Sequence, residues 1–197
     1  MSRVERVAQQ IREVVQAKFS IDETDHIEGN RMQAIAHSDG SVKITRELVG
    51  RMTDDELAFI VAHEVAHIEK EHGKEHQGLV DAELTALKAG LQTVDRELQE
   101  KGAGFIKRTA VQIVGGAVGG AGVVLAARQV SQKHETEADE RAIEIVKEAG
   151  YNEGASVTAY QKLHGGSVPE IGIVQSIIST HPAPRKRHQH LKNKCKN

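Results

Sequence analysis

Residues 60–72 read IVAHEVAHIEKEH, placing two histidines and a glutamate inside a stretch whose neighbours Val61, Ala62, Val65, Ala66 and Ile68 carry no charge. Burying ionisable groups costs free energy unless something compensates them. A helix apolar on every side belongs inside a fold, with other elements packed around it. Thr53 and Glu56, three apart, supply a capping box for its start. His63 and His67 are four apart, so on that helix their rings stand one turn apart on one face and can grip a single metal ion, a spacing that fits zinc. Glu64 lies about 100° further round, out of comfortable ligand range but able to reach a metal-bound water, which makes it the candidate general base. The competing reading is a helix that merely carries two surface histidines.

A zinc site with an open position needs a third protein ligand. In HETEAD, about seventy residues downstream, Glu135 and Asp139 are four apart on one helical face, Glu137 points nearly the opposite way, and Ala138 leaves room for close approach. Glu135 is the expected third ligand, with His134 as its competitor. Asp139 is expected to accept the free ring N–H of one ligand histidine and so fix its tautomer. The alternative is an exposed acidic face paired with Arg141 or Lys147.

The rest of the chain predicts a mainly α fold with a small β-hairpin, of the α+β class, in one domain over residues 1–197. Val4, Val7, Ala8, Ile11, Val14 and Val15 form one apolar stripe of a packing helix. Residues 32–48 read as two short strands about Asp39 and Gly40, a dipeptide suited to the positive backbone angles of a tight hairpin, and this is the sole convincing β signal. Val80, Leu84, Leu87, Leu91, Val94 and Leu98 trace the narrow seam of a helix packed lengthwise. Residues 110–127 are long enough to cross a bilayer and contain Gly115 and Gly119 in a GxxxG pattern, but Gln112, the many glycines and the lack of flanking Trp or Tyr favour a buried helix. Gly150 is a natural left-handed helix stop.

Composition is that of a soluble globular protein, 39% hydrophobic and 27% charged, with 3% aromatic residues and no Trp, so the core is built from Leu, Ile, Val and Ala. The single cysteine, Cys195, excludes an internal disulfide and is compatible with a reducing compartment. The opening residues lack the apolar run of a secretory signal. A cytoplasmic, monomeric protein without stable membrane insertion is expected. Arg185, Lys186, Arg187, Lys192, Lys194 and Lys196 crowd the end of the chain, with no acidic residue after Glu170. Without interleaved aromatics this basic tail, residues 185–197, reads as a solvated terminus, and no nucleic-acid partner is expected.

Three separated motifs together resemble the zinc metallopeptidase family that includes the HtpX heat-shock proteases, the CAAX prenyl endopeptidases and bacterial outer-membrane maintenance proteases. They are the hairpin leading into ELAFIVAHEVAHIEKEH, the ETEADERA helix, and STHPAPRKR, with His181 and Pro182 followed by Arg187. The resemblance implies a gluzincin fold, one zinc per chain held by His63, His67 and Glu135, and Glu64 as catalytic base. It puts Arg187 behind the ligands, and His181 near the metal, stabilising the oxyanion or capping the metal at rest. The branches with transmembrane helices or a signal peptide differ from this chain, so location and substrate do not carry over. His72, His76, His164, His188 and His190 read as surface residues. The strand from Gln33 through Ala34, Ile35 and Ala36 to His37 could bind an extended polypeptide by backbone pairing. The expected activity is cleavage of peptide bonds in unfolded or damaged polypeptides; the rival is a catalytically idle zinc protein with a chaperone-like or adaptor role.

Overall fold

The computed structural model describes residues 1–27, 31–74, 78, 132–163 and 185–195. Two compact units are distinguished, one formed by Met1–Gly73 with Ser131–Asn197 and the other by Lys74–Val130. Nearly all the described residues lie in the first. The expected seam of residues 80–98, the 110–127 segment, His76, His164 and His181 lie outside the described residues.

Helix α1, Arg3–Arg12, starts at Ser2, whose hydroxyl accepts from the Glu5 N–H, and buries Val4, Val7, Ala8 and Ile11. Val14 and Val15 fall after its end and are only partly buried against the core, so the apolar stripe outlasts the helix. Strands β1 (Ser20–Thr24), β2 (Ala34–Ala36) and β3 (Ser41–Thr45) form a sheet in the order β1-β3-β2. β2 and β3 are the expected antiparallel hairpin, with Ala34 opposite Ile44. Gly40 turns it at φ +86°, and the Ser41 N–H donates to the Asp39 carboxylate at 2.9 Å. β1, parallel to β3 with Ile21 opposite Val42, is a third strand that the sequence reading did not contain. Its sequence, SIDET, has one apolar residue, and its place in the sheet comes from backbone pairing rather than from a buried face.

Helix α2, Arg46–Arg51, leads to α3, Asp54–Glu69. The capping box forms as expected: the Glu56 N–H donates to the Thr53 hydroxyl at 3.2 Å, and the Thr53 N–H to the Glu56 carboxylate at 2.8 Å. Every residue of α3 from Glu56 to Ala66 is buried. α1, β2 and β3 pack against it from one part of the chain and α5, Ala155–Leu163, from another. Arg3 ties the corner between α2 and α3, donating to the Val49 carbonyl at 2.8 Å and to the Met52 carbonyl.

Helix α4 occupies residues 132–148. Gly150 stops it at φ +80°, with its N–H on the Lys147 carbonyl and the Tyr151 N–H reaching back to Val146 at 2.8 Å. That pair of bonds is a Schellman stop. Helix α6, Arg185–Lys194, occupies most of the tail that reads as solvated. It docks instead: Leu191 is fully buried and Arg187 is 6% exposed, while Lys194 and His190 meet Glu140 at 3.1 and 3.0 Å. Among the described residues no helix is long and apolar enough to cross a membrane.

Candidate metal centre

Helix periodicity puts His63 and His67 on one face of α3, and α4 brings Glu135 to them. The two Nε2 atoms are 3.1 Å apart. Glu135 spans them, with Oε2 3.5 Å from His63 Nε2 and Oε1 3.4 Å from His67 Nε2. Donor atoms about 2.1 Å from a tetrahedral zinc stand roughly 3.4 Å from one another, so each of these separations is of the size that two donors of one zinc require, with the Glu135 carboxylate turning a different oxygen to each ring. The side chains of His63 and Glu135 are 8% and 3% exposed. His134, the competing ligand, is not in this cluster.

The charges behind the donors also suit a cation. Arg187 donates through Nε and Nη2 to the two oxygens of Asp139, at 2.8 and 2.7 Å, and through Nη1 to Glu135 Oε2 at 2.5 Å. Asp139 Oδ1 in turn lies 3.0 Å from His63 Nδ1. Burial acts to raise the Asp139 pKa, but Arg187 and His63 hold it below the ordinary value. Burial acts to lower that of His63, and Asp139 and Glu135 outweigh it, pushing it up to about 10. A field that retains a proton this strongly favours positive charge at the same point. Glu64, Glu135 and Asp139 when ionised, set against Arg187, balance one divalent ion. The residues present therefore fit zinc in charge, donor type and spacing.

Two neighbours carry no clear sequence signal. Tyr160 of α5 is buried with its ring 5.5 Å from the Arg187 guanidinium, and burial together with Asp139 and Glu135 pushes its hydroxyl up to about 12 despite Arg187. His72, expected at the surface, is 5% exposed. Its Nδ1 lies 3.0 Å from His67 Nδ1, its Nε2 lies 3.3 Å from Glu137, and its ring stacks on His134 at 4.1 Å. Burial, then His67 and His134, push its pKa down to about 4 against the pull of Glu137. On a continuous helix a residue five positions after His67 would point about 140° away. Here α3 ends at Glu69, and Glu71 takes a left-handed φ of 53°, which turns the chain back toward His67. Glu137, expected to face away, is held against His72 although 37% of its side chain is exposed.

Of the other candidates, Glu64 is buried on α3 beside His63. Gln33 exchanges hydrogen bonds with Thr45, its carbonyl accepting from the Thr45 N–H at 3.0 Å, and leads into β2 at the edge of the sheet. Ala34 is buried, and Ile35, Ala36 and His37 are half-buried.

An HEVAH helix buried in a mainly helical fold with a small sheet, joined by a glutamate from a later helix, defines a gluzincin-type metallopeptidase domain. The chain belongs to peptidase family M48, whose model matches residues 1–195. Enzymes of this family are metal-dependent, typically through zinc. Over 163 residues the chain is 26% identical to the metalloprotease LoiP of Escherichia coli (strain K12), a match covering 83% of this chain and 58% of that relative. The family resemblance read from the three motifs therefore holds.

Proposed function

We propose that the chain is a zinc endopeptidase that cleaves unfolded or damaged polypeptides. The observation that carries this reading is the grouping of His63 Nε2, His67 Nε2 and the two carboxylate oxygens of Glu135, with separations of 3.1 to 3.5 Å. One zinc held there would polarise the scissile carbonyl and lower the pKa of water toward neutrality. Glu64, next to His63 on the buried helix, takes the water proton and delivers it to the leaving amine. Arg187 and Asp139 keep Glu135 and His63 in place so that the donors need little rearrangement. His181, by family resemblance alone, stabilises the oxyanion or caps the metal at rest. Among the described residues β2 is an edge strand beside α3, and its outer backbone N–H and C=O groups would pair with an extended substrate, a mode of binding that is tolerant of sequence.

The reading is tested with an unstructured protein such as casein. Cleavage should appear with zinc, stop on chelation and return when zinc is restored. The rival, an idle zinc protein that holds clients, predicts suppression of client aggregation with no new termini.

A further inference from the structure

We propose that His72 is a positioning residue for the metal site, the middle member of a Glu137–His72–His67 relay that fixes the tautomer of His67. This rests on the reading of His63, His67 and Glu135 as zinc ligands. His63 has a carboxylate directly behind it, with Asp139 Oδ1 3.0 Å from its Nδ1. At His67 the corresponding ring nitrogen meets His72, whose Nδ1 lies 3.0 Å from His67 Nδ1, and Glu137 Oε2 stands 3.3 Å beyond, at His72 Nε2. Two Nδ1 atoms at this distance share one proton, so one ring must donate and the other accept. For Nε2 of His67 to present a lone pair to a metal, its Nδ1 must carry the proton. His72 then accepts at Nδ1 and carries its own proton at Nε2, which is the donor that the Glu137 carboxylate accepts. Every hydrogen in the chain is thus assigned by the single requirement that His67 be a ligand.

The surroundings hold this arrangement in one geometry. His72 stacks on His134 with the rings 11° from parallel. The left-handed Glu71, a conformation unfavourable for a residue with a side chain, returns the chain to place His72 against His67. Strain of this kind persists where neighbouring structure over-determines it. A carboxylate behind a ligand histidine orients the ring and raises its basicity, and its loss typically weakens metal binding about 10- to 100-fold. The relay extends that effect to His67 through a second ring.

The test measures zinc affinity of the full chain by competition with a chromophoric chelator at neutral pH, for wild type, His72→Phe and His72→Asn. Asparagine can place an acceptor oxygen where Nδ1 stands, while phenylalanine fills the volume without one. His72→Phe should bind zinc about 10- to 100-fold more weakly, and His72→Asn should recover most of the loss. Equal affinity in His72→Phe, or no recovery in His72→Asn, would overturn the relay while leaving the metal centre in place. A wild-type chain that binds no zinc would overturn the metal centre and the relay with it. A second measurement needs no variant: nitrogen-15 NMR of the zinc-loaded wild type should find His67 protonated at Nδ1 and His72 at Nε2. Finding His72 protonated at Nδ1 would overturn the relay even if His72→Phe failed to fold.

Discussion

Arg187 and Asp139, 48 residues apart in sequence, meet through two parallel hydrogen bonds of 2.7 and 2.8 Å inside the protein, with side-chain exposures of 6% and 0%. The fork of a guanidinium matches a carboxylate in a way that an ammonium cannot. Removing one partner of such a pair leaves a buried charge, which costs about 3–5 kcal/mol. Arg187→Met should therefore lower the denaturant midpoint of the metal-free chain markedly, and Arg187→Lys should restore only part of it. A midpoint unchanged in Arg187→Met would show that the pair contributes nothing to folding.

Asp139 stands behind His63. Asp139→Asn keeps the size of the side chain but removes the charge from the hydrogen bond to Nδ1, and zinc affinity should fall about 10- to 100-fold. Chelator competition measures this, with His63→Ala as the reference for loss of a ligand. Undiminished affinity in Asp139→Asn would exclude it from the site.

Glu56 links the capping box to Lys162, whose Nζ lies 2.6 Å from its carboxylate. Burial acts to raise the Glu56 pKa, but Lys162 and the Thr53 N–H overcome it and hold it below the ordinary value of 4.5. With the folded value the lower one, the ionised form favours folding. The stabilisation is fully present above the unfolded value and disappears as pH falls through the folded one. Glu56→Gln should thus be less stable than wild type at neutral pH and match it well below pH 4.5. Denaturant unfolding at both ends of that range checks this, and a difference independent of pH would contradict it.

Sequence alone revealed what local chemistry controls. The cap of α3, the uncharged run that marks it for burial, the hairpin at Gly40 and the stop at Gly150 each depend on residues within a few positions of one another. β1 was hidden because strand pairing, not its own composition, places it. The tail read as solvated because its basic residues dominate; Arg187 loses that character only on meeting Glu135 and Asp139, and Leu191 only on entering the core. His72 escaped notice because its contact with His67 depends on a left-handed Glu71, which no spacing rule anticipates. Three of the positions gathered at the site, His63, His67 and Glu135, share a helix face or a short motif, and that is why spacing could nominate them.

Glu64 is proposed to transfer the proton at a zinc-bearing peptidase site. The measurement that tests it most directly compares casein cleavage by wild type and Glu64→Gln at equal, verified zinc content. Wild type should cleave, and turnover should be lower by about 10²-fold or more in Glu64→Gln, with zinc binding retained. Equal cleavage by the two proteins, or none by the zinc-loaded wild type on any unfolded client tested, would contradict it.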